Sequence, residues 1–141
     1  MIERSHALAI AQHSAFLDCK KFDLWLDGFH DESSYDVTTR YNVEHGFPAG
    51  LIHCRNKGQL RDRILSVSRV NIYPPHSYRH ILSTSVSGDR QSEIITPFIC
   101  YLVSPNSDTI LFASGEYIDV WIDDPTSSLG FRITERTVVL D

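Results

Sequence analysis

The chain has 141 residues, enough for one domain that buries roughly two-thirds of its unfolded surface. Apolar residues make up 42% and charged residues 22%, an ordinary globular balance. The formal charge of −5 argues against a nucleic-acid backbone as partner, because binding phosphates takes clustered lysine and arginine. Cys19, Cys54 and Cys100 are widely spaced and form no CxxC pair, so neither a zinc knuckle nor a redox pair is indicated. No basic stretch precedes an apolar one at the start, and no apolar run approaches the ~18 residues of a membrane span. Together these signals predict a cytoplasmic protein with three reduced thiols.

Two helices are expected over residues 3–29. In residues 3–18, Ala7, Leu8, Ala11 and Ala15 form one apolar stripe. Phe22, Trp25, Leu26 and Phe29 then repeat at helical spacing, and Gly28 with the polar run 30–34 ends the segment. A first strand follows over 34–40, where Tyr35, Val37 and Thr39 alternate with polar residues. After a loop over 41–48, residues 49–55 form a short strand. Asn56 and Gln59 resemble a capping box at the start of a helix over 57–73, with Leu60, Ile64 and Val67 as its apolar stripe. Pro74 and Pro75 stop it, since a residue before proline is pushed out of the helical region.

From Tyr78 onward the pattern is all strand: 78–87, 93–103, 109–122 and 131–140, separated by turn residues. Early helices and late strands argue for an α+β fold, and hairpin-length connections for an antiparallel meander. Strands this long need a curved sheet, with Pro97 and Gly115 as candidate bulges. Such a sheet wrapped over three helices makes a cone. Residues 94–103 are apolar on both faces, so either a helix of the same chain or another subunit is expected to cover the second face.

Few residues suggest chemistry. His76 and His80 have the spacing that binds zinc on a helix, but on a strand residues four apart lie about 13 Å apart, too far for one metal. His45, His53 and Cys54 read as ordinary loop residues. His80 could be a satisfied core histidine, or a general base inside the cone oriented by Asp36 or Glu116. Ser114-Gly115-Glu116 is not a nucleophile elbow, and no glycine-rich phosphate loop exists. Arg61, Arg63, Arg69 and Arg79 form either a solvated face or intersubunit ion pairs.

Five segments in order resemble one family. They are Phe22-Asp23-Leu24-Trp25-Leu26, Leu60-Arg61-Asp62-Arg63-Ile64, Tyr78-Arg79-His80-Ile81-Leu82, Phe112-Ala113-Ser114-Gly115-Glu116-Tyr117 and the stretch from Phe131 to Asp141. They are similar to the small (beta) subunits of aromatic ring-hydroxylating dioxygenases. Ala49-Gly50-Leu51-Ile52 and Asn71-Ile72-Tyr73 resemble the terephthalate dioxygenase and salicylate hydroxylase branch. The resemblance implies the cone fold of nuclear transport factor 2 and scytalone dehydratase. It implies a beta trimer beneath three alpha subunits, an alpha3beta3 hexamer, with the Rieske [2Fe-2S] cluster and mononuclear iron in alpha. Independently, the Cys-x-His and Cys-x-x-His pairs of a Rieske centre are missing from this chain, and no facial triad is recognisable.

Two readings follow. One is a non-catalytic structural beta subunit of an oxygenase acting on an aromatic carboxylate, with no cofactor of its own. Its interface candidates are Arg61, Tyr73, Arg79, His80 and Tyr101. The other is a free-standing dehydratase or isomerase of the same fold, using His80 with Asp36 in an open cone pocket.

Overall fold

Two helices, α1 (Arg4–Asp18) and α2 (Phe22–Asp27), open a computed structural model that describes residues 4–48, 50–69, 76–105 and 108–141. Then come β1 (Phe29–Thr39), α3 (Arg40–Glu44), β2 (Ile52–Cys54) and α4 (Lys57–Arg69). The remaining elements are strands: β3 (Ser77–Leu82), β4 (Val86–Ser87), β5 (Glu93–Val103), β6 (Ile110–Asp123) and β7 (Phe131–Leu140). The expected helix over 57–73 is described as far as Arg69; its last turn, Pro74-Pro75 and Tyr73 lie outside the described residues.

The strands form one sheet in the order β2-β1-β7-β6-β5-β3, with β4 pairing β5 beyond the end of β3. Neighbours are antiparallel except β1 and β7, which run parallel. The expected purely antiparallel meander is therefore corrected to a mixed sheet. The reason is connectivity: β1 is followed by helices rather than a hairpin, so it is free to join β7 from the far end of the chain.

Local chemistry explains where elements stop. Lys20 takes a left-handed φ of 58°, and α1 closes as a Schellman motif: Lys21 N–H donates to Phe16 O at 2.8 Å and Lys20 N–H to Leu17 O at 3.1 Å. Asn56 caps α4 in a variant of the capping box: Gln59 N–H donates to Asn56 Oδ1 at 2.9 Å, and Gln59 Oε1 reaches past the cap to accept Arg55 N–H at 2.7 Å. The expected strand over 78–87 breaks into β3 and β4. Pro97 explains the break: its carbonyl still accepts from Ser83 N–H at 2.8 Å, but it offers no N–H to the same edge. Register shifts fall between Phe29 and Ser34, at Cys100/Tyr101 and at Val120/Trp121 rather than at Pro97 and Gly115.

The helical stripe of α2 is as expected, with Trp25, Leu26 and Phe29 buried, though Phe29 already belongs to β1. In α1 the opposite face is buried. Ala9, Ile10 and His13 enter the core while Ala7, Leu8, Ala11 and Ala15 are exposed. Three alanines carry too little apolar area to fix a helix face, and Ile10 with Phe16 and Leu17 outweighs them.

The core lies between the helices and the inner face of the sheet, and it holds an ion pair. Asp119 and Arg136 face each other across β6 and β7, both buried. Arg136 Nε donates to Asp119 Oδ1 at 2.8 Å and Nη2 to Oδ2 at 2.9 Å, while Trp121 Nε1 donates to Oδ2 at 3.1 Å. The guanidinium sits 4.3 Å from the Tyr117 ring centroid, and Tyr117 stacks on Phe98 at 4.4 Å. Burial alone would lower the guanidinium pKa, but the Asp119 charge and its hydrogen bonds raise it overall. Burial pushes the Tyr117 phenol up, with Arg136 opposing.

His13 is fully buried against Trp25, Phe29 and Trp121. Its Nε2–H donates to Trp25 O at 2.7 Å, and Nδ1 has no hydrogen-bond partner among the described residues. Burial first, and the Arg136 charge second, lower its pKa from 6.5 to about 3, so the folded state holds it neutral.

Three outcomes follow from this core. Gly115→Ala places a Cβ 2.1 Å from Val139 O, and urea denaturation is expected to show a loss of roughly 1–3 kcal/mol; unchanged stability would contradict the close strand contact. Arg136→Met strands a buried carboxylate and should cost about 3–5 kcal/mol, much of it recovered by adding Asp119→Leu, because the unpaired charge then disappears. His13 binds its proton in the unfolded chain but not in the fold. Its contribution is therefore complete above pH 6.5 and lost as pH falls toward about 3. Stability curves across that range should flatten in His13→Phe; an unaltered slope would exclude His13 as the cause.

Candidate functional site

His80 lies on β3, the outermost strand, and its partner comes from a helix. Asp18, the last residue of α1, accepts the His80 backbone N–H at 2.8 Å and lies 2.5 Å from ring Nδ1. The two side chains are 10% and 8% exposed. A carboxylate at a helix C-terminus opposes the helix dipole, so Asp18 gains from any donor pointed at it. The backbone contact also occupies an edge-strand N–H that would otherwise be open to pairing. The pair thus fastens α1 to the sheet edge.

The proposed dyad of His80 with Asp36 is not formed, and that expectation is corrected. Asp36 is on β1, near the other edge of the sheet, and pairs with His53 across β1 and β2. Arg55 Nε donates to His53 Nε2 at 3.1 Å, completing an exposed surface chain. Glu116 is on the opposite sheet face from His80 and pairs with Arg40 at 3.1 Å. Val86 sits on β4, paired with Ile95 on the outer face.

Surface clefts are open among the described residues. One of about 500 Å³ is lined by His6, Arg90, Glu93, Trp121 and Asp123, among others. Another of about 540 Å³ lies between the start of α2 and α4. Neither is lined by His80 or Asp36. Phe29, Ile133, His13 and the Asp119–Arg136 pair are buried beneath the sheet.

The chain's donors do not suit iron or an iron–sulfur cluster. Such ligands are thiolates or clustered imidazoles and carboxylates. Burial raises the Cys54 thiol pKa, and burial followed by the Asp18 charge pushes Cys100 up to about 11, which keeps both as neutral thiols. No group of three His, Cys, Asp or Glu residues among the described residues could hold a metal ion. No helix among them is long and apolar enough to cross a membrane.

The outer face of the sheet is the other notable surface. Register places Ile81 opposite Ile99, Val86 opposite Ile95, and Tyr101 opposite both Arg79 and Leu111. Ile81, Val86, Ile99 and Leu111 are between 40% and 61% exposed. α1, α2 and α4 pack on the other side, so no described helix covers this patch. Of the interface candidates, Arg79 and Arg61 are exposed, Tyr101 is half-buried, and His80 is committed to Asp18.

The sequence reading missed Asp18 and the Asp119–Arg136 pair. Strand parity could have found the second: Asp119 lies between Tyr117 and Trp121, and Arg136 two before Val138, all on the buried side. Asp18 carried a weaker signal, a carboxylate at the wrong end of a helix.

A model of the ring hydroxylating beta subunit family matches residues 12–141. The small subunit of anthranilate 1,2-dioxygenase from Burkholderia cepacia is 30% identical over 89% of this chain and 78% of its own. A terephthalate 1,2-dioxygenase terminal oxygenase beta subunit from Comamonas is 34% identical over 93% and 85%. Among solved structures, the beta subunit of a putative aromatic-ring-hydroxylating dioxygenase from Novosphingobium aromaticivorans superposes with a TM-score of 0.77 at 26% identity, covering 94% of this chain and 87% of that one. A putative scytalone dehydratase from the same organism, at 9% identity and a TM-score of 0.67, shares the fold. In these dioxygenases the Rieske cluster and iron sit in the alpha subunit, and the beta subunit carries neither. The chain belongs to the ring-hydroxylating beta subunit family, a component of oxidoreductase complexes.

Proposed function

We propose that this chain is the non-catalytic, single-domain beta subunit of a bacterial, cytoplasmic Rieske-type oxygenase acting on an aromatic carboxylate of the terephthalate or salicylate kind. Its role is assembly: it trimerises and supports three iron-bearing alpha subunits in a hexamer. One observation carries the reading, the uncovered apolar face of β3, β5 and β6 with Ile81, Ile99 and Leu111. Arg79 and Tyr101 flank that patch, and Arg with aromatic residues is the composition of interface anchors. Relatives named for anthranilate and terephthalate support an aromatic acid as substrate of the complex. The filled interior and the separation of His80 from Asp36 favour this reading over a free-standing enzyme.

Burying one such aliphatic side chain is worth about 1.5–3 kcal/mol, so an aspartate in its place should weaken association strongly. Ile81→Asp with Ile99→Asp is expected to leave the chain folded by circular dichroism, and to shift it from oligomer to monomer in analytical ultracentrifugation. Oxygenase assembled with that variant should lose aromatic-acid turnover. A wild-type chain that stays monomeric, together with a large subunit fully active without it, would end the proposal.

A further inference from the structure

The cleft between α2 and α4 has a chemistry that the outer sheet face lacks. Phe22, Leu24, Ile64 and Leu65 line it, with Leu24 and Leu65 exposed at 43% and 41%. Lys20 and Lys21 stand on its rim. The chain has three lysines and a net charge of −5, yet two of the three lie side by side here. Both are exposed, and neither makes an ion pair among the described residues. Asp23 also lines the cleft, leaving the lysines in excess.

The backbone adds an independent observation. Lys20 occupies the left-handed position of the Schellman motif that closes α1. Glycine is the usual residue there, because a Cβ crowds the neighbouring carbonyl oxygen in the left-handed conformation. That left-handed turn carries the chain from α1 into α2 and brings Lys20 and Lys21 to the rim of the cleft.

We infer that this cleft is a docking site for an acidic segment of the large subunit, one that inserts an apolar side chain between Leu24 and Leu65 and sets carboxylates against Lys20 and Lys21. The inference rests on the beta-subunit reading and deepens it: the outer sheet face serves beta–beta contact, and the α2–α4 cleft serves the alpha subunit. A volume of about 540 Å³ accommodates a few side chains, which fits an anchor with flanking charges rather than a whole helix.

The test is Lys20→Gly with Lys21→Gln in the full chain, co-expressed with its large subunit. Relief of the left-handed lysine should hold or raise the melting temperature. The affinity of the beta subunit for alpha should nevertheless fall about tenfold at low salt, with the gap narrowing at high salt as screening removes the lysine contribution. Sedimentation should show beta–beta association unchanged. Leu65→Asp should weaken the same contact at every salt concentration. Undiminished alpha affinity in both variants would overturn the cleft assignment while leaving the beta-subunit reading intact. Failure of the wild-type chain to bind any large subunit would overturn both. Loss of beta self-association in the lysine variant would assign the cleft to beta–beta contact instead and refute the inference.

Discussion

Asp119 and Arg136 are buried opposite each other at the centre of the sheet, and much of the molecule is arranged to keep them there. Two charges removed from water are costly unless each is fully hydrogen-bonded. Here both carboxylate oxygens accept from the guanidinium, Trp121 donates to one of them, and the Tyr117 ring covers the cation. The pair fixes the register of β6 on β7, since a one-residue slip would send the two charges to opposite faces. It also sets the environment of its neighbours. His13 is held neutral by burial and by the Arg136 charge, and the Tyr117 phenol is kept protonated by burial.

An interior used this way leaves little room for catalysis. The fold is shared with a putative scytalone dehydratase, but in this chain aromatic rings and the ion pair fill the space beneath the sheet. Among the described residues, His80–Asp18 and His53–Asp36 pair a histidine with a carboxylate, and both sit at sheet edges. His80–Asp18 ties a helix to β3, and His53–Asp36 joins β2 to β1. A histidine beside a carboxylate is thus doing structural duty at each end of the sheet. What the molecule offers to others lies outside: an apolar sheet face and a lysine-rimmed cleft.

The fold was legible where the signal was local or strongly periodic. Phe22, Trp25 and Leu26 specified α2, Asn56 and Gln59 specified the start of α4, and the strand pattern after Tyr78 gave β5 to β7 closely. Misreadings came where the deciding partner was remote. The buried face of α1 depends on Trp25 and Trp121 meeting His13, and the alanine stripe could not report that. The parallel pairing of β1 with β7 joins segments about a hundred residues apart, beyond any periodicity. For His80 the sequence offered Asp36 or Glu116 as the carboxylate, whereas its partner is Asp18, 62 positions away at a helix end. The two-sided apolar character of residues 94–103 was readable, because strand parity alone puts Ile95 and Ile99 on the face opposite Ile94 and Phe98.

The interior of this subunit is structural, and its docking surfaces lie outside. Hydrogen–deuterium exchange on the chain alone and in complex with its large subunit tests it most directly. Slow exchange is expected at Asp119 and Arg136 in both states. Assembly should add protection in β3, in the first residues of β6 and around Lys20 to Leu24. Fast exchange through β6 and β7 in the isolated chain, or protection on assembly confined to residues lining the interior, would contradict it.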